Sequence, residues 1–138
     1  MKAYLAGKLG TAHEKELLMK VDSLCKAMGL QTFLPHRDVG RAEQMSDVAG
    51  IFEGDITKGL QNSDIIIAVL DGLHVGAGTA WELGYAYARG TPAVGVKTDE
   101  PIAESLEYLS PILIGSMPIV TSFEELEQEL RMLIKRLR

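Results

Sequence analysis

Residues Asp64 to Gly72 read DIIIAVLDG, and Gly76 to Ala88 read GAGTAWELGYAYA. Ile65 to Leu70 form an apolar, β-branched run bounded by polar residues and too short to span a membrane, which predicts a buried strand of a parallel sheet. The glycine-rich turn that follows opens a helix after Gly78 and is expected to place Glu82 in its first turn. Ligands of open α/β sheets gather at the carboxyl ends of the strands, where helix N-termini point. Asp71, the turn Gly76 to Thr79 and Glu82 therefore lie where chemistry is expected, with a carboxylate at the mouth of a nucleotide-sized cleft.

Strands and helices alternate on both sides of this stretch. Residues 2 to 6 (KAYLA) predict a first strand ending at Gly7, and 11 to 28 an amphipathic helix closed by Gly29. A second strand over Gln31 to Leu34 stops at Pro35. A polar loop then leads to a helix over about 46 to 62, with Val48, Ile51, Phe52, Ile56 and Leu60 at roughly helical spacing and three glycines that weaken it. Beyond Glu82 come a fourth strand at Ala93 to Lys97 and a short helix over 101 to 108. A fifth strand, or a strand pair, is bracketed by Ile112 to Ile114 and Pro118 to Val120. Ser122 opens the last helix with a capping box to Glu125, and Phe123, Leu126, Leu130, Leu133, Ile134 and Leu137 form its buried face. Five strands alternating with helices predict a three-layer, doubly wound parallel sheet of order 2-1-3-4-5 with right-handed crossovers. In that order the turn Gly7 to Gly10 faces the turn Asp71 to Gly78 across the switch-point crevice.

A length of 138 residues fits one domain over 1–138, and 46% apolar with 24% charged residues fits an ordinary globular core. A net charge of −5 argues against a nucleic-acid polymer as partner. Cys25 lies in the apolar pattern of the first long helix and reads as a buried thiol. Strand-forming residues begin at Lys2 and no apolar run approaches about 20 residues, so a soluble, cytoplasmic protein with no membrane contact is expected. The three histidines and one cysteine lack metal-ligand spacing, so no metal and no cofactor are expected.

Several side chains admit two readings. Thr79 to Glu82 has the spacing of a capping box, in which the glutamate bonds a backbone N–H. Alternatively, the helix dipole and nearby N–H groups keep Glu82 ionised and aimed at the cleft, as a nucleophile or electrostatic stabiliser requires. Asp55 is either a solvated helix charge or a second carboxylate for glycosidic chemistry, in which one group attacks and another protonates the leaving group. Lys8, beside Gly7, is a loop lysine or an anion receptor. No Walker loop or dinucleotide fingerprint is present. His36 and Arg37 end the second strand on the cleft side and could read a ligand. Trp81, Tyr85 and Tyr87 read as core or interface residues.

Taken in order, Tyr4-Leu5-Ala6-Gly7, Leu34-Pro35-His36-Arg37-Asp38, Ile51-Phe52-Glu53-Gly54-Asp55, Ser63 to Gly72 and Gly78-Thr79-Ala80-Trp81-Glu82-Leu83-Gly84-Tyr85-Ala86 resemble the nucleoside 2-deoxyribosyltransferase family and its 2′-deoxynucleoside 5′-phosphate N-hydrolase relatives. The resemblance implies a flavodoxin-like fold and cleavage of the bond between base and deoxyribose through a covalent glycosyl-enzyme ester. It implies Glu82 as nucleophile, Tyr4 as the tyrosine that orients it, Asp55 as the aspartate assisting the leaving base, and His36 near a base or sugar contact. The segment Asp55 to Asp64 is one residue longer than the family spacing. Six residues before Glu82 the transferases carry an aspartate and the hydrolases a serine, whereas this chain has Gly76. Asp71, His74 or the backbone of Gly76 to Gly78 could take over that contact. Lys8 matches the turn where the hydrolases hold the 5′-phosphate. The Leu109 to Gly115 segment resembles the one whose serine, here Ser110, reaches a neighbouring subunit's site, which implies a homodimer or higher assembly. The resemblance thus implies a deoxynucleoside or deoxynucleotide substrate, with transfer to another base or to water. A non-catalytic nucleotide-binding module is the alternative that Gly76 keeps open.

Overall fold

The computed structural model describes residues 1–138. Its centre is a five-stranded parallel sheet in the order β2-β1-β3-β4-β5, formed by β1 (Lys2–Ala6), β2 (Gln31–Phe33), β3 (Ile65–Val69), β4 (Ala93–Val96) and β5 (Ile119–Val120). This is the flavodoxin-like arrangement that the strand–helix alternation predicts. β3 pairs with both β1 and β4 in the middle of the sheet, and apolar layers cover its two faces, so its side chains are buried on both sides and the isoleucine run is the consequence.

Successive β3 residues divide between two apolar layers. Ile65 and Ile67 pack with Leu18, Val21 and Cys25 of α1 (Ala12–Ala27) and with Leu126 and Leu130 of α6 (Phe123–Leu137). Ile66 and Ala68 face the other way, against Ile56 and Leu60 and against Leu83 and Ala86 of α4 (Ala77–Arg89). Each fully buried leucine or isoleucine contributes about 1.5–3 kcal/mol of transfer free energy. Thr11 and Glu14 close a capping box at the start of α1. In α6 the Ser122 hydroxyl accepts from the Glu125 N–H, while the Glu125 carboxylate takes the Thr121 N–H rather than that of Ser122.

Two expectations are corrected. Ile112 to Ile114 are not a strand: Ser110 caps a helix there, accepting from the Ile112 N–H, and Pro111 supplies a preset first helical residue, giving α5 (Pro111–Ser116). The only fifth strand is Ile119–Val120. Residues 101 to 108 hold a single 3-10 turn, Ile102–Glu104, in place of a short helix.

The segment before β3 is helical from Met45 to Asn62 but changes winding along its length. A 3-10 turn (Met45–Asp47) leads into α3 (Val48–Phe52), then a π-helical stretch (Glu53–Gly59) and a final 3-10 turn (Leu60–Asn62). A π turn accommodates an extra residue within a helix and is frequently functional. Asp55 lies inside it. Gly59 is required for space: a Cβ there would stand 2.6 Å from the Phe33 ring, which itself stacks on Tyr4. Gly59→Ala is expected to cost about 1–3 kcal/mol through overpacking. Denaturant unfolding at unchanged m-value measures this cost, and an unchanged midpoint would contradict the packing.

Candidate active site

The loops leaving β1 and β3 open on one cavity of about 610 Å³. Its walls are mainly apolar, and its only ionisable lining residues are Lys8, Asp55 and Glu82. Tyr4, fully buried in β1, donates its hydroxyl hydrogen to the Glu82 carboxylate. Phe33 fixes the tyrosine ring from β2, stacked at 5.5 Å and 10°. Burial pushes the Glu82 carboxyl up to about 7; the Tyr4 hydrogen bond opposes that rise, and the nearby Asp55 charge adds to it. Asp55 is itself pushed up to about 6 by burial, and its Oδ1 is buried without a hydrogen-bond partner. Burial and the same two carboxylates hold the Tyr4 hydroxyl far above its ordinary range, so it remains a donor.

The start of α4 differs from the sequence expectation. Gly76 is its N-cap, in an extended conformation, and the Ala80 N–H bonds the Gly76 carbonyl at 3.0 Å. Glu82 therefore lies beyond the first turn and forms no capping box with Thr79. Its carboxylate pairs instead with a tyrosine 78 residues earlier. The helix dipole, which acts mainly within the first turn, is offset by desolvation, and the carboxyl is raised rather than kept low.

The other expected site residues divide into two groups. Gly7, Lys8, Gly76 and Gly78 line the cavity with Glu82 and Asp55. His36, Arg37, Asp71 and Ser110 do not line it. Arg37 spends its guanidinium on Asp22 at 3.1 Å, on Asp38 at 2.8 and 2.9 Å, and on the Thr32 carbonyl at 3.1 Å. Asp22 is 2% exposed; burial would raise its carboxyl, but hydrogen bonds from Thr32, Lys26 and Arg37 outweigh that and lower it. This network locks β2 to α1 and to the short helix α2 (Pro35–Asp38), whose Pro35 does reach the cavity. His36 is half-buried with an unpartnered Nδ1; burial, then Lys15 and Arg37, lower its affinity for a proton. Asp71 is buried and accepts from the Thr98 N–H at 2.8 Å and from the Thr98 hydroxyl. Ser110 is exposed at the start of α5.

Phe52 and Trp81 complete the cavity rim and are missed by the sequence reading. They are 53% and 50% exposed, so Trp81 is not a core residue. Their rings meet edge to face at 5.8 Å, and Trp81 also stacks on Tyr85 at 5.5 Å. One local signal was available: Phe52 precedes Asp55 by three residues and so shares its helix face.

A doubly wound sheet with two desolvated carboxyls in the crevice beside its central strands is the framework of a nucleotide-scale enzyme site. The family model for nucleoside 2-deoxyribosyltransferase matches residues 3–118, and the chain belongs to that family. Among solved structures it resembles a conserved protein from Enterococcus faecalis V583, at 26% identity and TM-score 0.77, covering 96% of this chain and 98% of the other. A 2-deoxyribosyltransferase from Bacillus psychrosaccharolyticus has the same fold at 20% identity and TM-score 0.77, covering 92% and 90%. So does the CMP N-glycosidase BcmB from Clostridium botulinum, at 20% identity and TM-score 0.57, covering 95% and 99%. No match is found among curated proteins. No helix is long and apolar enough to cross a membrane.

The raised Glu82 carboxyl has a consequence for stability. Its folded-state value of about 7 exceeds its ordinary 4.5, so the native protein binds the extra proton between those values, and ionisation costs stability as pH rises through that window. Below the window there is no penalty; above it the cost reaches roughly 3 kcal/mol at 1.36 kcal/mol per unit. Glu82→Gln keeps an acceptor for Tyr4 and removes the charge. It is expected to stabilise the fold by up to about 3 kcal/mol near pH 8 and not at all near pH 4. Equal stability of the two proteins at both pH values would contradict the desolvated carboxylate.

Proposed function

We propose that the protein cleaves the N-glycosidic bond of 2′-deoxynucleosides or their 5′-monophosphates through a covalent glycosyl-Glu82 intermediate. The observation that carries this reading is the Tyr4–Glu82 hydrogen bond with the unpartnered Asp55 lining the same cavity. Ionised Glu82 attacks the anomeric carbon and forms a C–O ester bond as the C–N bond breaks. The electron pair of that bond leaves with the base nitrogen, which takes the proton held by Asp55. Water or a second base then attacks the same carbon, Asp55 takes up the incoming proton, and the ester electrons return to Glu82. Tyr4 orients the nucleophile by its hydrogen bond, so one carboxylate oxygen is held while the other is left to react. The Bacillus psychrosaccharolyticus and Clostridium botulinum relatives carry names for chemistry at a base–sugar bond, which supports this assignment.

The working arrangement is Glu82 ionised and Asp55 protonated. Because Glu82 is pushed to about 7 and Asp55 to about 6, this is the less populated way of sharing a proton in the free protein. Productive enzyme therefore requires one proton on the pair, and it is lost on both sides of that window.

Lys8 gives the monophosphate a specific handle. It is the only cation lining the cavity, against two carboxyls, and its ammonium complements an anionic group on the sugar. Ser110 enters this reading only from a second copy of the chain. Tyr108 and Ile112 beside it are 41% and 80% exposed, which suits a self-associating surface.

The test incubates purified protein with the deoxynucleosides and their 5′-monophosphates, with and without a second free base, and follows released and exchanged bases by chromatography. Base release by wild type, absent in Glu82→Ala, is the expected result, with kcat/KM bell-shaped and its limbs near about 6 and about 7. Exchange with the free base assigns a transferase, and release to water alone a hydrolase. Retained ligand binding with no base release from any substrate would leave a binding module and overturn the enzymatic reading.

A further inference from the structure

The cavity holds a single hydroxyl. Of the residues lining it, Lys8, Asp55 and Glu82 are ionisable, Thr79 carries the hydroxyl, and the rest are glycine, proline or apolar, with Trp81 at the rim. Thr79 stands one turn before Glu82 on α4, a spacing that sets two side chains side by side on one helix face, about 5–6 Å apart at Cβ. Thr79 is 5% exposed.

That hydroxyl has no structural role. A threonine near a helix start ordinarily caps a free N–H or bonds a carbonyl three or four residues back. Here Gly76 is the N-cap, no side chain caps the helix, the Ala80 N–H takes the Gly76 carbonyl, and Glu82 is bonded to Tyr4. The Thr79 hydroxyl forms no hydrogen bond within the chain. Nor is it sealed, since the side-chain polar atoms that are both enclosed and unpartnered are His36 Nδ1 and Asp55 Oδ1. The oxygen therefore opens on the cavity, where Gly76, Ala77 and Gly78 before it bring nothing larger than a methyl group. A hydroxyl taken out of bulk water without a partner costs stability that a valine of the same shape would not. That cost is offset only when a bound molecule supplies the partner.

Stereochemistry identifies the group. In a β-nucleoside the base and the 5′ carbon project from one face of the sugar ring and the 3′-hydroxyl from the other. A nucleophile that displaces the base in line approaches from the face opposite the base. Glu82 therefore meets the ring on the face carrying the 3′-hydroxyl, which in a 2′-deoxyribose is the only hydroxyl there, and Thr79 is the polar side chain beside it on α4. Asp55, the acid on the base side, comes from a different element, the π-helical stretch before β3. We propose that Thr79 is a specificity-determining residue whose hydroxyl hydrogen-bonds the 3′-hydroxyl of the bound sugar. The proposal rests on the base-releasing reading with Glu82 as nucleophile and adds the contact that sets the ring over it.

The experiment measures kcat/KM for wild type, Thr79→Val and Thr79→Ser on 2′-deoxyadenosine and 2′-deoxycytidine, each as nucleoside and as 5′-monophosphate, and on their 2′,3′-dideoxy counterparts. Loss of an electron-withdrawing hydroxyl also weakens the glycosidic bond itself, so the readout is the change in the deoxy-over-dideoxy ratio between proteins. That ratio is expected to fall about fivefold in Thr79→Val, the effect of one neutral hydrogen bond, and to stay within about twofold of wild type in Thr79→Ser. Thr79→Val is expected to unfold at no lower denaturant concentration than wild type, which separates the loss from instability. The same ratio in all three proteins would overturn the proposal, because a merely structural defect slows both substrates alike; a ratio lowered equally by serine would overturn it too. Calorimetric binding of the same pairs to Glu82→Gln, with and without Thr79→Val, reads the contact without turnover. A preference of about fivefold for the 3′-hydroxyl that disappears with the valine supports it, and equal weakening of both ligands, or binding of neither, overturns it. Base release with an unchanged ratio removes the Thr79 contact alone. A Thr79-dependent binding preference without base release removes the catalytic reading alone.

Discussion

The hydrogen bond from Tyr4 to Glu82 joins the first strand to the fourth helix across 78 residues of chain, and the arrangement of the site depends on it. A tyrosine hydroxyl buried in a sheet needs an acceptor, and a carboxylate removed from water needs a donor. Each satisfies the other. The bond also sets the carboxyl's protonation, because it opposes the rise that burial imposes and leaves Glu82 able to ionise near neutrality. Packing fixes the tyrosine in turn: Phe33 stacks on its ring, and Gly59 is bare so that Phe33 can sit there. A chain of contacts thus runs from the π-helical segment through the sheet edge to the carboxylate.

The cavity is asymmetric in charge. Two carboxyls lie in a largely apolar wall, both raised by desolvation, while the ammonium of the only lining cation, Lys8, pairs with Glu14 at 3.5 Å. Had Lys8 paired directly with Glu82 or Asp55, the Coulomb attraction would lower their proton affinities and leave no proton to share near neutrality. Separating the lysine from the acids therefore leaves both carboxyls raised and able to hold a proton near neutrality.

Much of this architecture was legible locally. The isoleucine run of β3, the capping residues of α1 and α6, and the apolar stripe of α6 each announce an element through neighbours a few residues apart, and the strand order follows from their alternation. The family motifs brought Tyr4, Asp55 and Glu82 to notice, and the fold places Asp55 and Glu82 in one cavity with the buried Tyr4 bonded to Glu82. What the sequence concealed were partnerships between distant residues. Arg37 and Asp71 carry charges at the expected ends of strands, yet Asp22 and Asp38 claim the first and Thr98 the second. Thr79 and Glu82 have capping-box spacing, but Tyr4 competes for the glutamate and Gly76 starts the helix earlier. The isoleucines of α5 look like a strand until Ser110 and Pro111 are read as a helix start. The π turn around Asp55 has no such local signal.

The central claim, that Glu82 itself takes the sugar, is tested most directly by quenching the protein in acid during turnover of a 2′-deoxynucleoside 5′-monophosphate and mapping its proteolytic peptides by mass spectrometry. The account predicts a deoxyribosyl phosphate adduct on the peptide carrying Glu82, absent from Glu82→Ala. Base release without any adduct, at quench times shorter than one turnover, or an adduct on another residue, would contradict it.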